Sequence, residues 1–188
     1  LSVVSGPYRI LSGAWWHQSA DWQETCAHTA LHGGRRHRDI VGLTWESQGY
    51  IERARLLDEP ISGTRRDYTN VFDLFEHDLM INLLVEMGYP RARAKQMHHL
   101  YAGRSVNMRV GKSYGQAWKD CNGLGQGCSQ SVRAANAYVS TLLGHLDSKF
   151  DNLSMGAFID DRNIRHKDPL TRIAALREVV RFDKMAGH

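Results

Sequence analysis

The chain has 188 residues, a net charge of +4 at pH 7 and 42% hydrophobic residues, enough for one domain or two small lobes around a real core. No apolar run approaches the ~20 residues of a transmembrane helix, and residues 1–10 lack the basic start and continuous apolar stretch of a secretory signal. Three irregularly spaced cysteines, Cys26, Cys121 and Cys128, argue against a disulfide framework and suit a reducing compartment, while the basic balance is mild support for a polyanionic partner.

In chain order, residues 1 to about 60 are polar, rich in His and Arg, and contain tryptophan. Two segments, 6–12 and 33–39, read as basic and turn-rich, and a helix is predicted over 39–57. Asp67 opens an aromatic and β-branched run through Phe75, which reads as a strand carrying Asp67 and leading into a helix from about Asp78. That helix has Leu79, Met80, Leu83, Leu84 and Met87 as its apolar stripe and stops at Gly88, with Pro90 just beyond. Pro90 starts another helix that closes at Gly103. Val106, Met108 and Val110 then alternate into a hairpin that turns at Gly111-Lys112-Ser113 and returns through Tyr114, Gln116 and Trp118. A glycine-rich loop over 122–131 leads into a helix with Val132, Ala135, Val139, Leu142, Leu143 and Leu146 on one face. Phe158-Ile159 and Arg162-Asn163-Ile164-Arg165 read as the arms of a tight hairpin with Asp160-Asp161 at its tip, and a last helix follows Pro169.

The tandem Asp160-Asp161 carries the chemistry. Two adjacent carboxylates in an apolar setting raise one another's pKa unless a cation offsets them, and a divalent metal is the obvious candidate. Glycines in the 122–131 loop let the backbone pass close to a ligand, and the helix start behind them favours phosphate. A zinc cluster of Cys26, His28, His32 and His37 fits neither finger nor catalytic spacing. Trp15-Trp16 reads as core packing, although such rings can stack on bases.

Taken together and in order, Asp67 to Phe72-Asp73, then Gln126-Gly127 with Ser131, then Phe158-Ile159-Asp160-Asp161 resemble the palm motifs of reverse transcriptases, most closely those of non-LTR retrotransposons. Tyr8-Arg9-Ile10 and Gly33 to Asp39 are similar to the family's two upstream fingers segments. Three departures stand out: Val71 in place of the usual Ala, Cys128-Ser129-Gln130 in place of Asp-Pro-Leu, and no Pro after Tyr8-Arg9.

The resemblance implies an α+β right-hand polymerase fold, an antiparallel palm sheet backed by helices with helical and hairpin fingers. The fingers would take 1–66 and 91–125, and the palm 67–90 and 126–188. The family's thumb would lie beyond His188, so the chain is expected to be a fragment of a longer polyprotein, weakly active or inactive by itself. The implied activity is template-directed transfer of deoxynucleotides to a primer 3′-hydroxyl with two Mg²⁺ ions, or Mn²⁺ in their place. Asp67, Asp160 and Asp161 would be catalytic and metal-binding, with the Tyr68 carbonyl a further ligand; Asp73 would be structural. Phe72 would lie under the incoming sugar and exclude a 2′-hydroxyl. Gln126 and Gly127 would contact nucleotide or template-primer, Phe158 would lie near the primer terminus, and Arg35, Arg36 and Arg38 would reach triphosphate or template. The implied partners are an RNA template, a DNA primer, deoxynucleoside triphosphates and other domains of the polyprotein, a thumb and an endonuclease among them, with no membrane. The implied location is the nucleus or a cytoplasmic ribonucleoprotein. Two other readings share parts of this pattern: an RNA-dependent RNA polymerase palm, and a non-catalytic nucleic-acid-binding remnant of a retroelement.

Overall fold

In the computed structural model, which describes residues 5–67, 71–119, 122–125 and 127–186 and leaves out the side chain of Val71, the chain begins with two helices where the sequence reads turns. Helix α1 (Gly6–Gln18) holds Pro7 in its first turn, where a missing N–H has no intrahelical partner to lose. Pro7 therefore starts the helix, which corrects the turn reading of 6–12. Helix α2 (Ala20–Cys26) follows at once. Both are fastened to the centre of the molecule by buried Arg133, which donates to Gln23 Oε1 at 2.5 Å and to the Trp16 carbonyl. Its guanidinium lies 4.0 Å from the Trp16 ring centroid, and burial lowers its pKa to about 10.

Helix α3 (Ile40–Leu56) agrees with the sequence within one residue at each end. Asp39 caps it by accepting from Gly42 N at 2.7 Å, and Arg53 and Arg55 sit in the last turn, where the helix dipole favours cations. The next element differs from expectation. Strand β1 (Ser62–Arg66) ends just before Asp67, and from Val71 the run forms a short helix, α4 (Val71–Leu74). The cause is the partner of the backbone: the carbonyls of Phe72 and Phe75 accept from Leu124 N at 2.5 Å and Gly123 N at 2.7 Å, so the glycine-rich loop, not a strand, satisfies them.

Helix α5 (His77–Glu86) ends as expected, with Gly88 at φ +85° and Tyr89 N donating to the Leu84 carbonyl at 2.9 Å. Helix α6 (Arg91–Ala102) follows Pro90. Strands β2 (Ser105–Val106), β3 (Arg109–Val110), β4 (Ser113–Tyr114) and β5 (Trp118–Lys119) make two short antiparallel ladders, β2 with β5 and β3 with β4, turned at Gly111. Helix α7 (Ser129–Lys149) is the central element, with Ala134, Ala135, Val139, Leu142 and Leu143 buried. Strands β6 (Ser154–Phe158) and β7 (Asp161–His166) form the expected hairpin, and helix α8 (Pro169–Met185) starts on an Asp168 cap.

The main sheet is antiparallel with order β1-β7-β6, and Ala30 and His32 extend it through parallel hydrogen bonds to Ala157. Residues of β7 alternate: Arg162, Ile164 and His166 are buried, while Asp161, Asn163 and Arg165 are less covered. Ile164 packs with Leu142 and Leu146 of α7 and Ala175 and Val179 of α8, so those helices back the sheet. A second cluster, with Phe75, Met80, Leu84, Met97, Tyr138 and Leu143, joins α5 and α6 to α7. Each fully buried Leu or Met contributes about 1.5–3 kcal/mol relative to exposure. The architecture is mixed α+β with small antiparallel sheets. Among the described residues, no helix is long and apolar enough to cross a membrane.

Candidate active site

Register builds the site. Phe158 pairs with Asp161 across β6 and β7, and Arg66 pairs with Arg162 across β1 and β7. Asp67 is the residue that follows this last pair, and Asp161 is the first residue of β7. Residues directly opposed in an antiparallel pair share a face with Cβ atoms ~5 Å apart, so Phe158 and Asp161 form a row across the end of the sheet, and Asp67 follows the end of the neighbouring strand β1. Asp160 stands beside the row in the two-residue loop. The sequence expects both aspartates at the tip; the structure puts Asp160 in the loop and Asp161 first in β7.

The loop is held in an unusual backbone conformation. Ile159 has φ +55°, a region that β-branched residues rarely enter and that glycine ordinarily fills in tight hairpins. Gly33 lies against it so closely that a Cβ there would sit 2.6 Å from Ile159 N and 2.7 Å from its Cγ1. A side chain at position 33 would therefore displace the turn that carries Asp160.

Asp161 is held by Arg65, whose Nη2 and Nε donate to its two carboxylate oxygens at 2.7 and 3.2 Å. The hydrogen bond and charge of Asp161 raise the Arg65 pKa further. The arginine is three-quarters exposed, so water and salt weaken the pair. Beside it, a cleft of about 440 Å³ opens between α3 and the sheet, lined among others by Ile40, Leu43, Ser47, Arg65, Asp161 and Arg165. Asn163 also lines it, and its buried Oδ1 has no hydrogen-bond partner among the described residues.

The remaining expected site residues are dispersed. Phe72 is half-buried against the main core, and Gly127 is exposed at φ +82° just before α7. The two regions are linked because the 122–125 loop docks on the 72–76 turn. Arg35 is largely buried, with Nη2 and Nε on Glu24 Oε2 at 2.9 and 3.1 Å and Nη1 on the His28 carbonyl at 2.9 Å. Arg36 pairs with Asp21 at 2.6 Å, and Arg38 reaches Glu46 at 3.3 Å. Tyr68 and Gln126 lie outside the described residues.

Among the described residues, no three His, Cys, Asp or Glu side chains come together as a ready metal cage. His28 instead meets Asp147 at 2.7 Å and His32 meets Glu46 at 3.1 Å. Sequence reasoning missed a buried group behind the row: Asp183 of α8 faces Arg66 Nη1 at 3.0 Å and Arg162 Nη1 at 3.3 Å, and accepts from Tyr138 at 2.8 Å. Its members come from four elements, and nothing in their spacing along the sequence signals the meeting.

No protein-family model matches the chain, and no curated protein does. The fold does match solved structures. It is similar to telomerase from Candida tropicalis in complex with a fragment of telomeric RNA, at TM-score 0.65 and 9% identity, over 98% of this chain and 32% of that one. It is also similar to apo telomerase from the same organism truncated from its C-terminal domain, at TM-score 0.61 and 11% identity, over 94% of this chain and 36% of that one. The chain thus spans about a third of the length of these proteins. At such identities the likeness establishes shared fold, and the non-LTR type expected from sequence finds no support in it.

Proposed function

We propose that this chain is the palm and part of the fingers of a reverse-transcriptase-like nucleotidyltransferase, with Asp67, Asp160 and Asp161 as its catalytic carboxylates. What supports the reading is the register in which Arg66, the residue before Asp67, pairs with Arg162, the residue after Asp161 beside the Asp160 loop. The fold shared with part of telomerase supports it.

The donor set fits Mg²⁺, which takes hard oxygen ligands and binds through one or two carboxylates plus substrate phosphates, without a cage made wholly of protein. Asp67, Asp160 and Asp161 would hold it, and Tyr68 would add its carbonyl. Two such ions, when bound, stabilise the attacking and leaving oxygens of an in-line phosphoryl transfer. The chain's own residues would do the rest. Arg65, weakly held in solvent, would release Asp161 and become free to meet phosphate. Phe158, in the same row, would pack near the primer terminus. The turn fixed by Gly33 would keep Asp160 from wandering, since a displacement of about 1 Å can cost ~100-fold in rate. Phe72 would oppose a 2′-hydroxyl, and Gln126 and Gly127 would meet the incoming nucleotide or the template-primer. The substrates in this reading are an RNA template, a DNA primer and deoxynucleoside triphosphates.

The test is primer extension on an RNA template by the wild-type chain and by Asp160→Asn. Template-dependent incorporation that drops at least 100-fold in the variant is expected. Equal incorporation by both would remove these carboxylates from the reaction, whatever polymerase activity remained.

A further inference from the structure

The buried group behind the catalytic row has a form that simple packing does not require. Arg66 directly precedes Asp67, and Arg162 directly follows Asp161. The two arginines are cross-strand partners, one register step inward of the acids and on the opposite face of the sheet. Both point to one carboxylate: Asp183 Oδ2 lies 3.0 Å from Arg66 Nη1, and Asp183 Oδ1 lies 3.3 Å from Arg162 Nη1. Tyr138 of α7 donates to that same Oδ1 at 2.8 Å, and the Arg162 guanidinium lies 5.4 Å from the Tyr138 ring centroid. Asp183 and Arg162 are almost wholly buried, so the ion pair is shielded from salt and competing water.

We propose that Asp183 is a positioning residue of the active site, a clamp that fixes the spacing between β7, which bears Asp161, and the end of β1, which Asp67 directly follows. The inference rests on the proposed function. A strand pair held only by backbone bonds can splay at its open end, where the ladder stops at Arg66 and Arg162. One buried anion bridging both arginines ties β1 to β7 at that last rung. The tie lies one residue from each acid, so the separation of the acids follows from it. Helix α8 supplies the anion and α7 orients it, which couples the helical layer to the row without contact between Asp183 and substrate. Removing the charge leaves the buried Arg162 and the partly covered Arg66 guanidinium groups without this carboxylate, and the end of the ladder loosens where divalent-cation affinity is decided.

The test is Mn²⁺ binding to the purified 188-residue chain, read by electron paramagnetic resonance, with circular dichroism and thermal melting as the fold control. Asp183→Asn is expected to weaken Mn²⁺ binding at least tenfold while keeping its helix content. Leu84→Ala, which opens the α5 core, should lower the melting temperature and leave Mn²⁺ affinity unchanged. Arg162→Lys keeps the charge and loses the fork, and should weaken binding at least threefold; it carries the test if Asp183→Asn does not fold. Wild-type affinity in Asp183→Asn, or in Arg162→Lys where that variant carries the test, overturns the clamp alone. A wild-type chain that binds no Mn²⁺ overturns the clamp together with the proposed function.

Discussion

Gly33 shows how a single missing side chain can set the geometry of the loop that carries Asp160. Its neighbour is backbone, Ile159 N at 2.6 Å from a would-be Cβ, and backbone cannot rotate away as a flexible side chain can. Gly33→Ala is therefore expected to destabilise the fold by about 1–3 kcal/mol, the usual cost of overpacking, and to reduce primer extension more than the stability loss explains. Denaturant unfolding beside turnover checks this, and an unchanged midpoint with unchanged turnover would show that the contact relaxes freely. Phe72 is a second residue-scale case. It packs against the core, which a purely structural Phe would also do. Replacing Phe72 with Val should raise ribonucleotide incorporation relative to deoxynucleotide if the ring opposes the 2′-hydroxyl; a lower melting temperature with unchanged discrimination would assign it to packing alone.

At the scale of elements, helix ends were the most legible feature. Asp39, Gly88, Pro90, Gly103 and Pro169 each punctuate the chain where the structure begins or ends a helix, because capping and breaking are local chemistry. The errors share a cause. Segment 6–12 and the run after Asp67 were read from local residue types, whereas α1 is held by Arg133 and Gln130 on a distant helix, and α4 takes its backbone partners from the 122–125 loop. Propensity yields where a tertiary partner satisfies the backbone otherwise. The Asp168 cap of α8 offers a pH test. Hydrogen bonds from the Thr171 hydroxyl, then from the Thr171 and Leu170 N–H groups, hold its carboxyl below the usual range. A depressed folded-state pKa contributes stability that is present above the unfolded value, near 3.9, and lost as pH falls through the folded value. Acid titration should therefore weaken α8 below about pH 4, and Asp168→Asn, which caps without titrating, should flatten that part of the curve in circular dichroism. Identical acid profiles would mean that the cap carries no linkage.

For the whole molecule, the tight hairpin that carries Asp160 and Asp161 is legible in the sequence, since register follows from alternation and turn length, whereas Asp67 falls just past the end of β1 and not on the strand its own segment suggests. What holds those strands to the helical layer was invisible. Asp183, Arg66, Arg162 and Tyr138 come from four elements, and no spacing in sequence announces their meeting. Breaking a buried ion pair by removing one partner typically costs about 3–5 kcal/mol, so Asp183→Ala should unfold near a much lower denaturant concentration than wild type. The basic segment 33–39 gives the opposite lesson. Its arginines are engaged by Glu24, Asp21 and Glu46, so the positive charge apparent in sequence is partly spent on the protein's own carboxylates.

Whether Asp67, Asp160 and Asp161 form one divalent-cation site is decided by anomalous diffraction from crystals soaked with Mn²⁺ and a deoxynucleoside triphosphate. An anomalous peak in contact with Asp67 and Asp160 or Asp161, with Arg65 released from Asp161, is the expected result. A peak held by other residues, or Mn²⁺ absent from the row with the Arg65 pair intact, would contradict it.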